Sequence, residues 1–244
     1  MTDKTSKITV ISGAGFSKAS GIPTFRGKDG LWKNYDPSAL ATPYAFAKDP
    51  KLVWEWYRWR LNIVLNADPN FAHVKLAEVE QNGFNINVLT QNVDDLHERA
   101  GSQNVIHLHG EIRQARCTDC RKRFMWTADL LKNTSDIPKC NTCGSVCRPD
   151  VVWFGETLKS TIIQACEKRL SITDVLIVAG TSGVVYPVTQ FPLIAKRYNP
   201  RVKIYEFNLN QTPISSIATE TILGPVEETI PEFFNNIYYK GEKK

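Results

Sequence analysis

Apolar positions gather in five short runs along the chain, Ile8–Ser12, Ile86–Thr90, Val105–Leu108, Val175–Ala179 and Lys203–Phe207. Each is rich in β-branched or otherwise apolar residues and too short for a helix, so each predicts a buried strand. Between them the spacing turns helical, over Lys51–Asn66, Asn70–Glu80, Leu158–Leu170 and Tyr186–Tyr198. Asp49-Pro50 starts the first of these, with aspartate as N-cap and proline as first helical residue. Strands alternating with helices predict an α/β fold on a doubly wound parallel sheet.

Small or polar residues follow every strand: Gly13-Ala14-Gly15, then Gln91-Asn92-Val93-Asp94, His109-Gly110, Gly180-Thr181-Ser182 and Asn208-Leu209-Asn210. Ligands of parallel α/β sheets bind beyond the carboxyl ends of the strands, so these five ends describe one crevice. Two insertions interrupt the sheet, a helical one at about 33–75 and one at about 115–150 that carries cysteines. Both leave and re-enter at the crevice edge, which predicts a small domain over it. A large part of about 1–32, 76–114 and 151–240 remains.

The chain has 244 residues, 42% hydrophobic and 23% charged, proportions that exclude collagen-like and disordered classes. No apolar run approaches the ~20 residues of a membrane span, and Met1–Lys7 shows no signal-peptide core. A soluble, cytoplasmic protein without membrane partners is expected. The net charge of +5 favours acidic surfaces only weakly. Part of it lies in the tail (Lys240, Lys243, Lys244) and part in Arg113, Arg116, Arg121, Lys122 and Arg123.

Six cysteines in a chain without a signal peptide point to metal rather than disulfides. Cys117-x-x-Cys120 and Cys140-x-x-Cys143, 19 residues apart, suit a tetrahedral zinc ribbon. Four thiolates leave no open position, so the zinc is expected to be structural. Cys147 is an alternative ligand, and Cys166 reads as a small core residue. His73 and His97 fall in helical patterns and read as packed or capping. His107 and His109 alternate on a strand, and His109, at its end, is better placed as a general base. The Gly13–Gly21 turn suits close approach to a pyrophosphate. However, it lacks G-x-G-x-x-G spacing and a following acidic residue, which disfavours a dehydrogenase. Tyr57 and Arg60 share a helix face and together could grip a carboxylate, unless Arg60 is a surface residue and Tyr57 core.

Gly13–Gly27 (GAGFSKASGIPTFRG), Thr90–Gly101 (TQNVDDLHERAG), His107–Glu111 (HLHGE), the paired CxxC, Val151–Glu156 (VVWFGE) and Gly180–Pro187 (GTSGVVYP) together resemble the sirtuins. These are NAD-dependent protein-lysine deacylases. Thr24-Phe25-Arg26 and Tyr57-x-x-Arg60 resemble the class III branch, whose tyrosine–arginine pair recognises succinyl and malonyl groups. The resemblance implies a Rossmann-like large domain, a small zinc-ribbon-plus-helix domain and NAD between them. It implies attack of the acyl oxygen on the ribose carbon as nicotinamide leaves, giving an alkylamidate. His109 then accepts a ribose hydroxyl proton, and the products are free lysine, nicotinamide and O-acyl-ADP-ribose.

By position, the resemblance puts Gly13, Ala14, Gly15, Phe25, Arg26 and Trp32 in the cofactor loop. Gln91, Asn92, Val93 and Asp94 hold the nicotinamide side, with Asn92 and Asp94 also catalytic. Gly180, Thr181, Ser182, Asn208, Leu209, Asn210 and Val226 hold the adenosine half. Val151, Val152, Trp153, Phe154 and Gly155 pair with the substrate backbone as a strand. The expected partners are acyl-lysine proteins, with a weak attraction to acidic surfaces or DNA-bound proteins. Phe16 and Cys147 depart from the residues usual at their positions. Two other functions fit parts of the pattern: an NAD glycohydrolase or ADP-ribosyltransferase, and a zinc-ribbon nucleic-acid module.

Overall fold

The computed structural model describes residues 4–26, 30–31, 34–126 and 137–239. In chain order the strands are β1 (Lys7–Ser12), β2 (Asn85–Thr90), β3 (Val105–His107), β4 (Gly110–Cys117), β5 (Arg123–Met125), β6 (Cys147–Val151), β7 (Val175–Ala179), β8 (Lys203–Asn208) and β9 (Glu220–Leu223). The α-helices are α1 (Pro37–Leu40), α2 (Pro43–Lys48), α3 (Pro50–Asn66), α4 (Phe71–Gln81), α5 (Leu96–Ala100), α6 (Ser160–Leu170), α7 (Phe191–Tyr198) and α8 (Val226–Tyr239). None among the described residues is long and apolar enough to cross a membrane.

Six strands form a parallel sheet in the order β3-β2-β1-β7-β8-β9. This is the doubly wound, Rossmann-like arrangement, and its order reverses between β1 and β7. All five expected strands are present. Period-two alternation sends Ile8 and Val10 to one face, under α4 and α8, and Ile11 to the other, under α6 and α7. β9 and α8 were not foreseen. β9 has four residues, and Pro231 interrupts the helical pattern of α8, whose Val226, Ile230 and Phe234 nevertheless bury on the sheet. The helix expected over Tyr186–Tyr198 starts as α only at Phe191, after a 3₁₀ turn at Val188–Gln190.

A second core joins the two insertions. Leu40, Phe46, Trp54, Tyr57 and Leu61 of the helical part pack with Ile112, Ala115, Cys147 and Trp153. The Trp54 indole donates to the Cys147 carbonyl at 2.9 Å. There β4 is the centre of an antiparallel sheet, β5-β4-β6. α4 joins the large sheet's core through Ala72, Leu76 and Val79, so a division at residue 75 falls inside this helix.

Candidate active site and metal centre

At the sheet's reversal the chain after β1 meets the chain after β7 backbone to backbone. Gly13 N–H donates to the Ala179 carbonyl at 3.0 Å and Gly15 N–H to the Gly180 carbonyl at 2.8 Å. A Cβ on Gly15 would lie 2.8 Å from Gly180 Cα, and one on Gly180, where φ is +62°, would lie 2.4 Å from Phe16 N. Only glycines allow this approach. Ala14–Ser20 then forms a 3₁₀ helix. Thr181 Oγ1 accepts from the Gln91 side chain at 3.0 Å, and Asn208 Nδ2 donates to the Thr181 carbonyl at 2.7 Å. The ends of β2, β7 and β8 are thereby tied together. Ser182, Leu209 and Asn210 are exposed at this edge, while Val226 is buried. Arg26 is exposed and Phe25 half-buried; Trp32 lies outside the described residues.

Asn92 and Asp94 are buried beside the loop. Asn92 Nδ2 donates to Ser17 Oγ at 3.0 Å, and Ser17 Oγ donates to Asp94 Oδ2 at 3.0 Å. Burial raises the Asp94 carboxyl against the Leu96 amide and Ser17 hydroxyl that it accepts from. His109 Nδ1 lies 2.9 Å from the Gln91 carbonyl. A carbonyl only accepts, so Nδ1 carries the proton and Nε2 is a bare lone pair. Nε2 has no partner among the described residues, and burial keeps the ring below the ordinary histidine range. His107 is occupied otherwise, between the Asn92 carbonyl at 3.1 Å and Glu98 at 2.7 Å.

Arg60 and Tyr57 are both buried on α3. The Arg60 guanidinium lies 4.8 Å from the Phe25 and Trp56 ring centres and 5.5 Å from that of Tyr57. No carboxylate pairs with it among the described residues, although the charge of Asp94 reaches it. The surface-arginine alternative therefore fails. Trp153 Nε1 donates to Tyr57 Oη at 2.8 Å, and burial keeps the phenol neutral. Glu156 braces the neighbouring segment: Arg148 donates to both its oxygens at 2.7 and 2.9 Å, and the Trp153 amide donates at 2.8 Å. The amides of Val152 and Phe154 also bond internally, to His109 and Ala41 carbonyls.

Four sulfurs, Cys117, Cys120, Cys140 and Cys143, lie within 4.8 Å of one another. Cys117–Cys143 and Cys120–Cys140 are 3.4 and 3.6 Å apart. A zinc tetrahedron with ~2.3 Å bonds has sulfur edges of about 3.8 Å, so the set fits zinc. Backbone amides of Asp119 and Thr142 donate to Cys117 and Cys140 at 3.4 Å. Cys147 is buried and is not one of these four converging sulfurs. The basic cluster around it is largely neutralised: Arg113 pairs with Asp95, Arg116 with Asp150 and Glu156, and Arg123 with Asp150. This removes most of the basis for a nucleic-acid module.

Sequence reasoning gave Ser17, Glu98, Arg148 and Glu156 no role of their own, because their partners are set by contacts that no local pattern records. His73 does cap α4, accepting from the Asn70 amide at 3.3 Å. Burial holds this ring at about 3, and burial also lowers His97 and His109. An unfolded histidine titrates near 6.5, so on acidification the unfolded chain takes up these protons first. The stability from His73 is therefore complete above pH ~6.5 and is lost progressively toward pH ~3, at about 1.4 kcal/mol per pH unit. Glu98 raises His107 against its burial, with the opposite sign. Denaturant midpoints should be lower at pH 5 than at pH 7, with a shallower difference in His73→Phe. An unchanged slope in that variant would refute the assignment.

A Sir2 family model matches residues 13–187. A protein of Archaeoglobus fulgidus named NAD-dependent protein deacylase 1 is 48% identical over 230 residues, covering 94% of this chain and 92% of that one. A mutant Sir2 homologue solved with ADP-ribose has a TM-score of 0.91 at 46% identity, over 99% of this chain and 96% of that chain. Another, solved with 2′-O-acetyl ADP-ribose, has 0.90 at 47% identity, over 98% and 94%. The matched stretch opens on the first glycine of the crevice and takes in both cysteine pairs and the end of β7, and this chain belongs to the Sir2 family.

Proposed function

We propose that this protein is an NAD-dependent protein-lysine deacylase that releases nicotinamide and O-acyl-ADP-ribose, acting on acetyl-lysine and, through Arg60, on succinyl- and malonyl-lysine. The observation that carries the reading is the His109 imidazole, neutral, with its proton fixed on Nδ1 by the Gln91 carbonyl and its Nε2 lone pair without a partner among the described residues. Bound NAD supplies a ribose carbon that exchanges nicotinamide for the acyl oxygen of the substrate. Gly13, Ala14 and Gly15 would present backbone to the cofactor, with Phe25 and Arg26 toward the reacting ribose. Gln91, Asn92, Val93 and Asp94 hold the nicotinamide side, where the Asp94 charge favours a developing cation. Gly180, Thr181, Ser182, Asn208, Leu209, Asn210 and Val226 hold the adenosine half.

His109 Nε2 takes the proton of a ribose hydroxyl, and the Gln91 carbonyl steadies the resulting imidazolium through Nδ1. The segment Val151–Gly155 receives the substrate backbone. Because the amides of Val152, Trp153 and Phe154 are already bonded, this pairing falls to the segment's remaining polar groups. Arg121 and Lys122, without ion pairs among the described residues, give a weak attraction to acidic surfaces.

A desolvated cation among three aromatic faces is an anion site with its desolvation cost already met before ligand arrives. A charge-assisted pair of Arg60 with an acyl carboxylate is worth ~1.5–3 kcal/mol. Arg60→Met should therefore lower desuccinylation about ten- to hundred-fold more than deacetylation, measured as kcat/KM on one peptide carrying either group. Equal losses would remove Arg60 from acyl recognition. The activity itself is tested by mass spectrometry on the same peptides with and without NAD. NAD-dependent loss of acyl groups with matching O-acyl-ADP-ribose is expected. NAD cleavage that ignores the acyl peptide would instead make the protein a glycohydrolase.

A further inference from the structure

The mechanism leaves His97 without a task, although it is buried against Ser12 at the carboxyl end of β1. Ser12 Oγ donates to Thr90 Oγ1 at 2.9 Å, across the last register pair of β1 and β2. Ser12 has one hydroxyl proton, so its contact with His97 Nε2, at 2.9 Å, is donated by the imidazole. Thr90 Oγ1 also accepts from the Asn92 amide at 3.0 Å. An unbroken chain of hydrogen bonds therefore runs from His97 through Ser12 and Thr90 to the Asn92 backbone, and Ser12 and Thr90 are fully buried. The remaining groups of Asn92 are held too: its carbonyl by His107 and its Nδ2 by Ser17. Asn92 Oδ1 alone has no partner among the described residues.

We propose that His97 is a positioning residue for the deacylation, acting through Ser12 and Thr90 to hold Asn92 at the crevice. The inference rests on the role given to Asn92 above. A ring that merely packs against Phe16 and His73, 5.0 and 4.8 Å away, could be replaced by another ring. A relay instead needs a donor where Nε2 stands. Consistent with a proton on Nε2, His97 Nδ1 is buried without a partner among the described residues. Burial keeps the ring neutral, so its one N–H is committed to Ser12.

The test measures kcat and KM on an acetyl-lysine peptide at saturating NAD for His97→Phe, His97→Gln, Thr90→Val, the double variant His97→Phe/Thr90→Val, and Asn92→Ala. His97→Phe keeps the ring and removes the donor; it should lower kcat about tenfold, as for the loss of one buried hydrogen bond, with the peptide KM unchanged. His97→Gln, whose Nε2 can reach the same place, should recover most of kcat. The double variant should be no slower than the worse single one, since both cut the same relay. Multiplying losses, full activity of His97→Phe or failure of the glutamine to rescue would each overturn the inference. Should His97→Phe not fold, Thr90→Val and Ser12→Ala with their double variant decide in the same way. An inactive Asn92→Ala beside a fully active His97→Phe would remove the relay alone; a fully active Asn92→Ala would remove the reading of Asn92 as well.

Discussion

His109→Ala is expected to lower acyl-lysine turnover by roughly 10²–10⁴-fold, the usual contribution of a positioned general base. The loss should fall on the step after nicotinamide departs, because the role proposed for His109 is at the ribose hydroxyl and not at the leaving group. Exchange of labelled nicotinamide into NAD should therefore survive while peptide deacylation is lost. The pH profile carries the same assignment. Burial lowers the His109 pKa, with the Gln91 carbonyl opposing, so the unprotonated form persists below the ordinary 6.5. The acid limb of kcat/KM should accordingly lie below pH 6.5, leaving a plateau at pH 7. An acid limb above 6.5, or a variant that loses exchange along with deacylation, would move the base elsewhere.

Removing zinc should abolish activity although the metal site lies away from the crevice. The sulfurs gather where β4 ends, at Cys117, opposite Cys147 on β6. From there the ladder runs through Arg116↔Arg148 and Ala115↔Pro149 to Gly110↔Val151, with an irregularity before the last pair. Beyond it the Val152 amide donates to the His109 carbonyl at 2.8 Å. A zinc clamp at one end of this eight-residue strand would thus hold the register that places His109 and Val151–Gly155 at the other, some ~24 Å of extended chain away. Structural zinc supplies on the order of 10–16 kcal/mol of folding free energy in small ribbons. Metal analysis should find one zinc per chain. Cys143→Ser or prolonged chelation should lower the melting temperature sharply and remove deacylation in parallel with zinc loss. A zinc-free protein that keeps both its melting temperature and its rate would contradict the structural role.

Much of this site was legible in the chain because its signals are local. Strand runs with glycines or polar residues at their ends, paired C-x-x-C knuckles and Asp49-Pro50 at the head of α3 all depend on a few neighbouring residues. Sirtuin resemblance added roles for those positions. Cys147 shows the limit: spacing kept it eligible as a ligand, and only the convergence of the other four sulfurs set it aside. β9 and α8 escaped because a four-residue strand and a helix carrying Pro231 take their support from the sheet rather than from their own pattern.

Periodicity and spacing by themselves determined the α/β class and the sheet edge where the polar strand ends gather, and they pointed to the two C-x-x-C pairs and to His109 over His107. Tertiary structure decided what each side chain touches. It buried Arg60 among three rings, joined Ser17 to Asp94 across 77 positions and Gln91 to Thr181 across 90, and neutralised the arginines beside the cysteines. The physical reason is range: propensity and spacing act over a few residues, whereas desolvation, tautomer choice and ion pairing depend on groups that only the closed fold brings within hydrogen-bond distance.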